Sequence, residues 1–193
     1  MIGTEPRERR SLLTARQVGL IAAFGGLGFA WRALGLVIPL YPPFVLDIRE
    51  TAIVLAAFAG GPWVGLCTGI LIGLPSAIPV MDIIYYPAIA LTFCLFVKKI
   101  WQLKGIARYA LAIVSLVGIE YLIGLPISAY VISLFGLAPF KPFLITSWVG
   151  GTGYVYCAQM VIPLLLALEL APGFMKPRWS WRGGEEIEEE VAA

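Results

Sequence analysis

Long apolar runs alternate along the chain with short interruptions rich in glycine, proline or charge, and this pattern predicts six helices. A run that crosses lipid needs about 20 residues, or fewer where neighbouring helices cover it. On that basis helix one covers about Val18 to Pro39, helix two about Thr51 to Gly60 and helix three about Trp63 to Ile78. Helix four covers about Asp82 to Val97, helix five about Tyr109 to Phe135 and helix six about Leu144 to Ala171. Helices two and three are short and meet at Gly60-Gly61-Pro62, so the pair either crosses twice or forms a re-entrant hairpin. Gly65, Gly69 and Gly73 fall four apart on one face of helix three, where a second helix can approach backbone to backbone. Ala22, Gly26 and Ala30 make a similar smooth stripe on helix one. Gly124 and Pro126 predict a kink in helix five.

Composition supports the same picture. The chain is 60% hydrophobic and 13% charged, with a mean hydropathy of +0.88, which excludes a soluble domain of ordinary composition. The predicted class is therefore an all-α integral membrane protein. Arg7, Arg9, Arg10 and Arg16 precede helix one; Lys98, Lys99, Lys104 and Arg108 separate helices four and five; Lys176, Arg178 and Arg182 follow helix six. The opposite loops hold only Arg49 and Lys141, so the positive-inside rule puts both termini in the cytoplasm of a multi-pass cell-membrane protein. Residues 1–17 read as a cytoplasmic arm with no cleavable signal, residues 18–171 as the membrane domain, and residues 172–193 as a disordered acidic tail. A net charge of +2 gives no footprint for nucleic acid.

Candidate chemistry is sparse. There is no histidine, and Cys67, Cys94 and Cys157 lie far apart within apolar runs, which fits small core residues better than a disulfide or metal site. No nucleophile–base pair, metal-ligand spacing, paired carboxylates or phosphate-binding loop appears, so neither enzyme activity nor a cofactor is expected, and the chain cannot hydrolyse ATP alone. A charge at mid-membrane costs about 2.5–3.5 kcal/mol and asks for a reason. Arg32, in helix one, and Glu120, in helix five, sit at similar depth and either face one solute cavity or form a structural ion pair, with a snorkelling arginine as a third possibility. Tyr121, Tyr85, Tyr86, Tyr130, Trp148 and Tyr154 add aromatic faces in the outer half, beside the polar Asp82, Thr146, Ser147 and Thr152. Rings with a few polar groups make an ordinary small-molecule pocket, although tyrosine and tryptophan also anchor helices at membrane interfaces. Gly150, Gly151 and Gly153 loosen helix six, pack another helix or admit a ligand.

The loop ending in Leu46-Asp47, the Ala-rich helix after it, the Gly-Pro turn and the glycine-striped helix together resemble the substrate-binding S component of an energy-coupling-factor (ECF) vitamin importer. Within that family the riboflavin branch is the nearest likeness, since Glu120-Tyr121 precedes Pro126 at the spacing of its Asn-Tyr and Pro. Glu120 replaces that asparagine, and the Asn/Lys-containing stretch is missing at Gly153-Tyr154-Val155-Tyr156, so the vitamin stays open between riboflavin, thiamine and similar solutes. The resemblance implies a six-helix fold and a pocket formed by the first loop, with Asp47, and helices four to six, with Lys141 among the loop residues near it. It further implies docking of Ala22, Gly26 and Ala30 on a transmembrane coupling subunit that works with two ATPases. The rival readings are a membrane-embedded enzyme acting on a lipid or prenyl substrate and a ligand-free assembly protein.

Overall fold

The computed structural model describes residues 13–36, 38–41, 44–47, 49–150 and 152–179. Of the expected arm at residues 1–17 and disordered tail at residues 172–193, residues 1–12 and 180–193 lie outside them; the described remainder is structured, since a helix already begins at Ala15, Pro172–Met175 form a further helical turn, and Met175 and Trp179 are buried. The fold is helical, and among the described residues three helices are long and apolar enough to cross a membrane: Pro79–Gln102, Ile106–Leu134 and Gly153–Leu170.

The first helix is built from α1 (Ala15–Leu20), a single wide turn at Ile21–Gly25 and α2 (Gly26–Ala33). Thr14 caps it, its hydroxyl accepting from the Gln17 amide while the Gln17 side chain accepts from the Thr14 amide. It stops at Gly35, with φ +68°, and not near Pro39 as the apolar run predicts. Hydropathy does not separate a strand from a helix, and Pro39 cannot donate to a helical carbonyl. The segment instead forms a small antiparallel hairpin, β1 (Ile38–Tyr41) and β2 (Phe44–Leu46), pairing Ile38 with Leu46 and Pro39 with Val45.

Next come α3 (Arg49–Gly60) and α4 (Pro62–Gly73), twelve residues each. At about 1.5 Å per residue each is about 18 Å long, short of a hydrocarbon core of about 30 Å. Ten residues of α3 are buried, on every side of the helix. It is the axis of the molecule, with α4, α5 (Pro79–Gln102) and α9 (Thr152–Leu170) packed around it. Phe58, Ile53, Phe93, Leu116 and Leu164 fill the space between these helices. Gly61 makes the α3–α4 turn at φ +86°, and a Cβ there would lie 2.5 Å from the Trp179 ring. That ring closes this end of the bundle, its indole N–H donating to the Phe58 carbonyl at 3.0 Å.

Pro75 and the turn after Gly73 end α4 before Ile78, and α5 begins at Pro79 with its proline where a missing N–H costs nothing. The fifth predicted helix runs from α6 (Ile106–Ile119) through a wide turn, Glu120–Gly124, into α7 (Leu125–Leu134). Pro126 cannot donate to the carbonyl one turn back, and the widened turn, closed by the Leu125 amide on Glu120 O, absorbs the defect where the sequence predicts a kink. The sixth predicted helix is two helices. After α8 (Phe140–Val149) the chain breaks at Gly150, and α9 starts at Thr152, with a last turn α10 (Pro172–Met175) beyond it. Glycine carries no side chain to hold a helix through that point.

Candidate functional site

A cavity of about 260 Å³ opens at one end of the bundle. Its walls come from the end of α2, the loop before α3, and α3, α5, α7, α8 and α9. Arg32 stands on its wall half-buried, and Tyr85 and Tyr86 of α5 supply two rings set edge to face at 5.0 Å. Tyr156, Ser128, Phe143 and Ser147 complete the far side.

The charge in this cavity is organised by Arg49. Its guanidinium holds Asp47 Oδ2 through Nε and Nη2 at 2.7 Å each, and Asp82 Oδ2 through Nη1 at 2.8 Å. Its plane lies 5.1 Å from the Tyr86 ring. Asp47 is fixed from a third direction, because its backbone N–H donates to Gln159 Oε1 at 2.9 Å, while Thr51 donates to the Gln159 carbonyl at 2.7 Å. One residue along, Glu50 is only 5% exposed. Its Oε1 receives a long bond from the Tyr86 hydroxyl at 3.4 Å, and its Oε2 has no partner.

Glu120 lies one layer behind. It is fully buried, takes the Tyr85 hydroxyl on Oε2 at 2.7 Å and has no partner for Oε1. The ion pair with Arg32 that the sequence left open does not form, and Glu120 reaches the cavity only through Tyr85, whose ring lines it. Tyr85→Phe therefore strips Glu120 of its one donor. We expect a loss of about 1–3 kcal/mol in detergent unfolding, and Tyr85→Phe with Glu120→Gln to recover most of it. Additive losses in the double variant count against this linkage.

Of the residues singled out from sequence, Arg32, Asp47, Asp82, Tyr85, Tyr86 and Ser147 line the cavity, with Glu120 behind them. Tyr121 forms a separate aromatic cluster with Trp148 and Tyr154, at centroid distances of 6.4 and 6.0 Å. Tyr130 and Tyr154 are 59% and 65% exposed, and Lys141 is exposed as well. None of these five faces the cavity. Sequence reasoning missed Arg49, Glu50 and Gln159 and weighed Asp82 only as one of the polar groups beside the aromatic rings. The available signal was the density of charge in Asp47, Arg49 and Glu50, directly before a helix with no polar face.

Cys94 and Cys157 are buried and Cys67 half-buried, all three as thiols, and among the described residues no group of three His, Cys, Asp or Glu side chains is placed to hold a metal ion. On the first helix, Ala22, Gly26 and Ala30 are exposed, and among the described residues nothing lies within 4 Å of a Cβ built on Gly26. Compared with known proteins, the chain matches no family model, no curated protein and no solved structure.

Proposed function

We propose that this chain is a solute-capturing subunit of an importer of the energy-coupling-factor type. In this reading it sits in the cell membrane as a six-helix, multi-pass protein with both termini cytoplasmic, takes a small vitamin-like solute from outside and delivers it through a coupling subunit driven by two ATPases. The observation that carries the reading is the charge-lined cavity. A bundle that needs only to be stable fills such a space with apolar side chains, because buried ion pairs are seldom better than well-packed hydrophobic residues. Side chains from α2, α3, α5, α7, α8, α9 and the loops before α3 and α5 instead converge on a pocket with aromatic faces and a few oriented polar groups, the usual build of a small-molecule site.

The exposed small-residue stripe supports the second half of the reading. Ala22, Gly26 and Ala30 lie on a helix whose buried glycines, Gly25 and Gly28, already face α4, so the stripe is surplus to the packing of the chain itself. A smooth face is what a second transmembrane helix needs for close approach. We expect Gly26→Leu to fold and bind solute normally, since its side chain enters open space, but to lose co-purification with the coupling subunit and ATPases. Retention of the complex by Gly26→Leu together with Ala22→Leu sinks the docking assignment.

A further inference from the structure

We propose, resting on that solute-binding reading, that the solute carries a positively charged nitrogen group and that Glu50 is the residue on which it docks. Five charged side chains line the cavity: Arg32, Asp47, Arg49, Glu50 and Asp82. Arg49 engages both aspartates, so one cation is shared by two anions and that cluster stays negative. Glu50 adds a further carboxylate whose Oε2 is buried with no partner. Arg32, half-buried at the end of the first helix, is the one other basic group on the wall among the described residues.

A carboxylate withdrawn from water with an empty oxygen is costly to the fold, and among the described residues no neighbour removes that cost. A cationic group from outside does so on arrival, because an opposite charge and a charge-assisted hydrogen bond are gained together. The walls suit such a guest. Tyr85 and Tyr156 offer aromatic faces that attract cations, while the Tyr86 ring is already taken by Arg49. A volume of about 260 Å³ lies below the usual range for drug-sized ligands and favours a compact solute.

The test is titration calorimetry on the full chain in mild detergent with three probes of different charge: thiamine as an organic cation, riboflavin as a neutral solute and biotin as an anion. Thiamine is expected to bind, Glu50→Gln to weaken it by about 10- to 150-fold, and Glu50→Asp to retain part of the affinity. Unliganded Glu50→Gln is expected to melt no lower than the parent chain, which separates lost docking from lost folding. Binding of riboflavin or biotin but not thiamine, or thiamine binding untouched by Glu50→Gln, overturns the cation assignment and leaves solute capture standing. A chain that binds none of the three and releases no organic solute on denaturation overturns both.

Discussion

Arg49→Met is expected to cost about 3–5 kcal/mol in unfolding free energy and to abolish solute binding. The side chain is 8% exposed and joins two carboxylates that share no other cation among the described residues. Removing it leaves both buried charges uncompensated, the circumstance in which a buried pair has its largest effect. Two consequences distinguish this from a simple loss of packing, since methionine keeps most of the volume. Adding Asp47→Asn and Asp82→Asn to Arg49→Met should return much of the lost stability without returning binding. Arg49→Lys should rescue poorly, because one ammonium group cannot reproduce a planar fork that contacts one aspartate twice and another once. Denaturation of the three variants side by side decides the matter. A loss below about 1 kcal/mol for Arg49→Met would place the network in water and not in the interior.

The second large effect is expected from Gly69→Val. A Cβ at Gly69 would stand 2.8 Å from the Pro87 nitrogen and 3.0 Å from the Tyr86 carbonyl carbon, and Gly73 meets the backbone of residues 82 and 83 as closely. Backbone cannot rotate aside as a side chain can, so α5 must move away from α4. Overpacking of this kind costs about 1–3 kcal/mol, and the unyielding neighbour puts Gly69→Val at the upper end. The shift acts on Asp82, Tyr85 and Tyr86 together, since α5 carries all three, and solute affinity should fall further than stability does. Equal affinity in Gly69→Val and the parent chain would show that the pocket does not depend on the α4–α5 spacing.

The glycine contact was legible before any coordinates, because four-residue spacing puts Gly65, Gly69 and Gly73 on one face whatever lies opposite. The turn at Gly61 was legible for the same local reason, as was the defect before Pro126. The break between α8 and α9 was legible only as one of three readings, because Gly150, Gly151 and Gly153 serve a loosened helix, a packed helix or a ligand contact equally well. The site was half legible. A glutamate amid a long apolar helix marks itself, and Glu120 did, whereas Arg49 and Glu50 sit at a helix end, where charge ordinarily means solvent. Their burial depends on partners far along the chain: Gln159 lies 112 residues from Asp47, and Asp82 lies 33 from Arg49. The aromatic residues failed for a related reason. Tyr130, Trp148 and Tyr154 share the composition of a pocket, but which way a helix turns its rings is decided by the helices beside it. Their exposed positions accord with the interface-anchoring role weighed for them at the outset.

Because α3 is enclosed on every side and one of its walls is α9, the chain meets a problem of order during synthesis. Residues emerge from the N-terminal end first. Arg49 can find Asp82 once α5 has been made, but the bond from Asp47 to Gln159 waits for nearly the whole membrane domain. Until then α3 presents Glu50 and one open flank to whatever surrounds the nascent chain. The pocket is thus finished late, with only the Trp179 end of the bundle left to close, and a ribosome halted after α7 leaves a bundle with its glycine-packed half assembled and its cavity unformed.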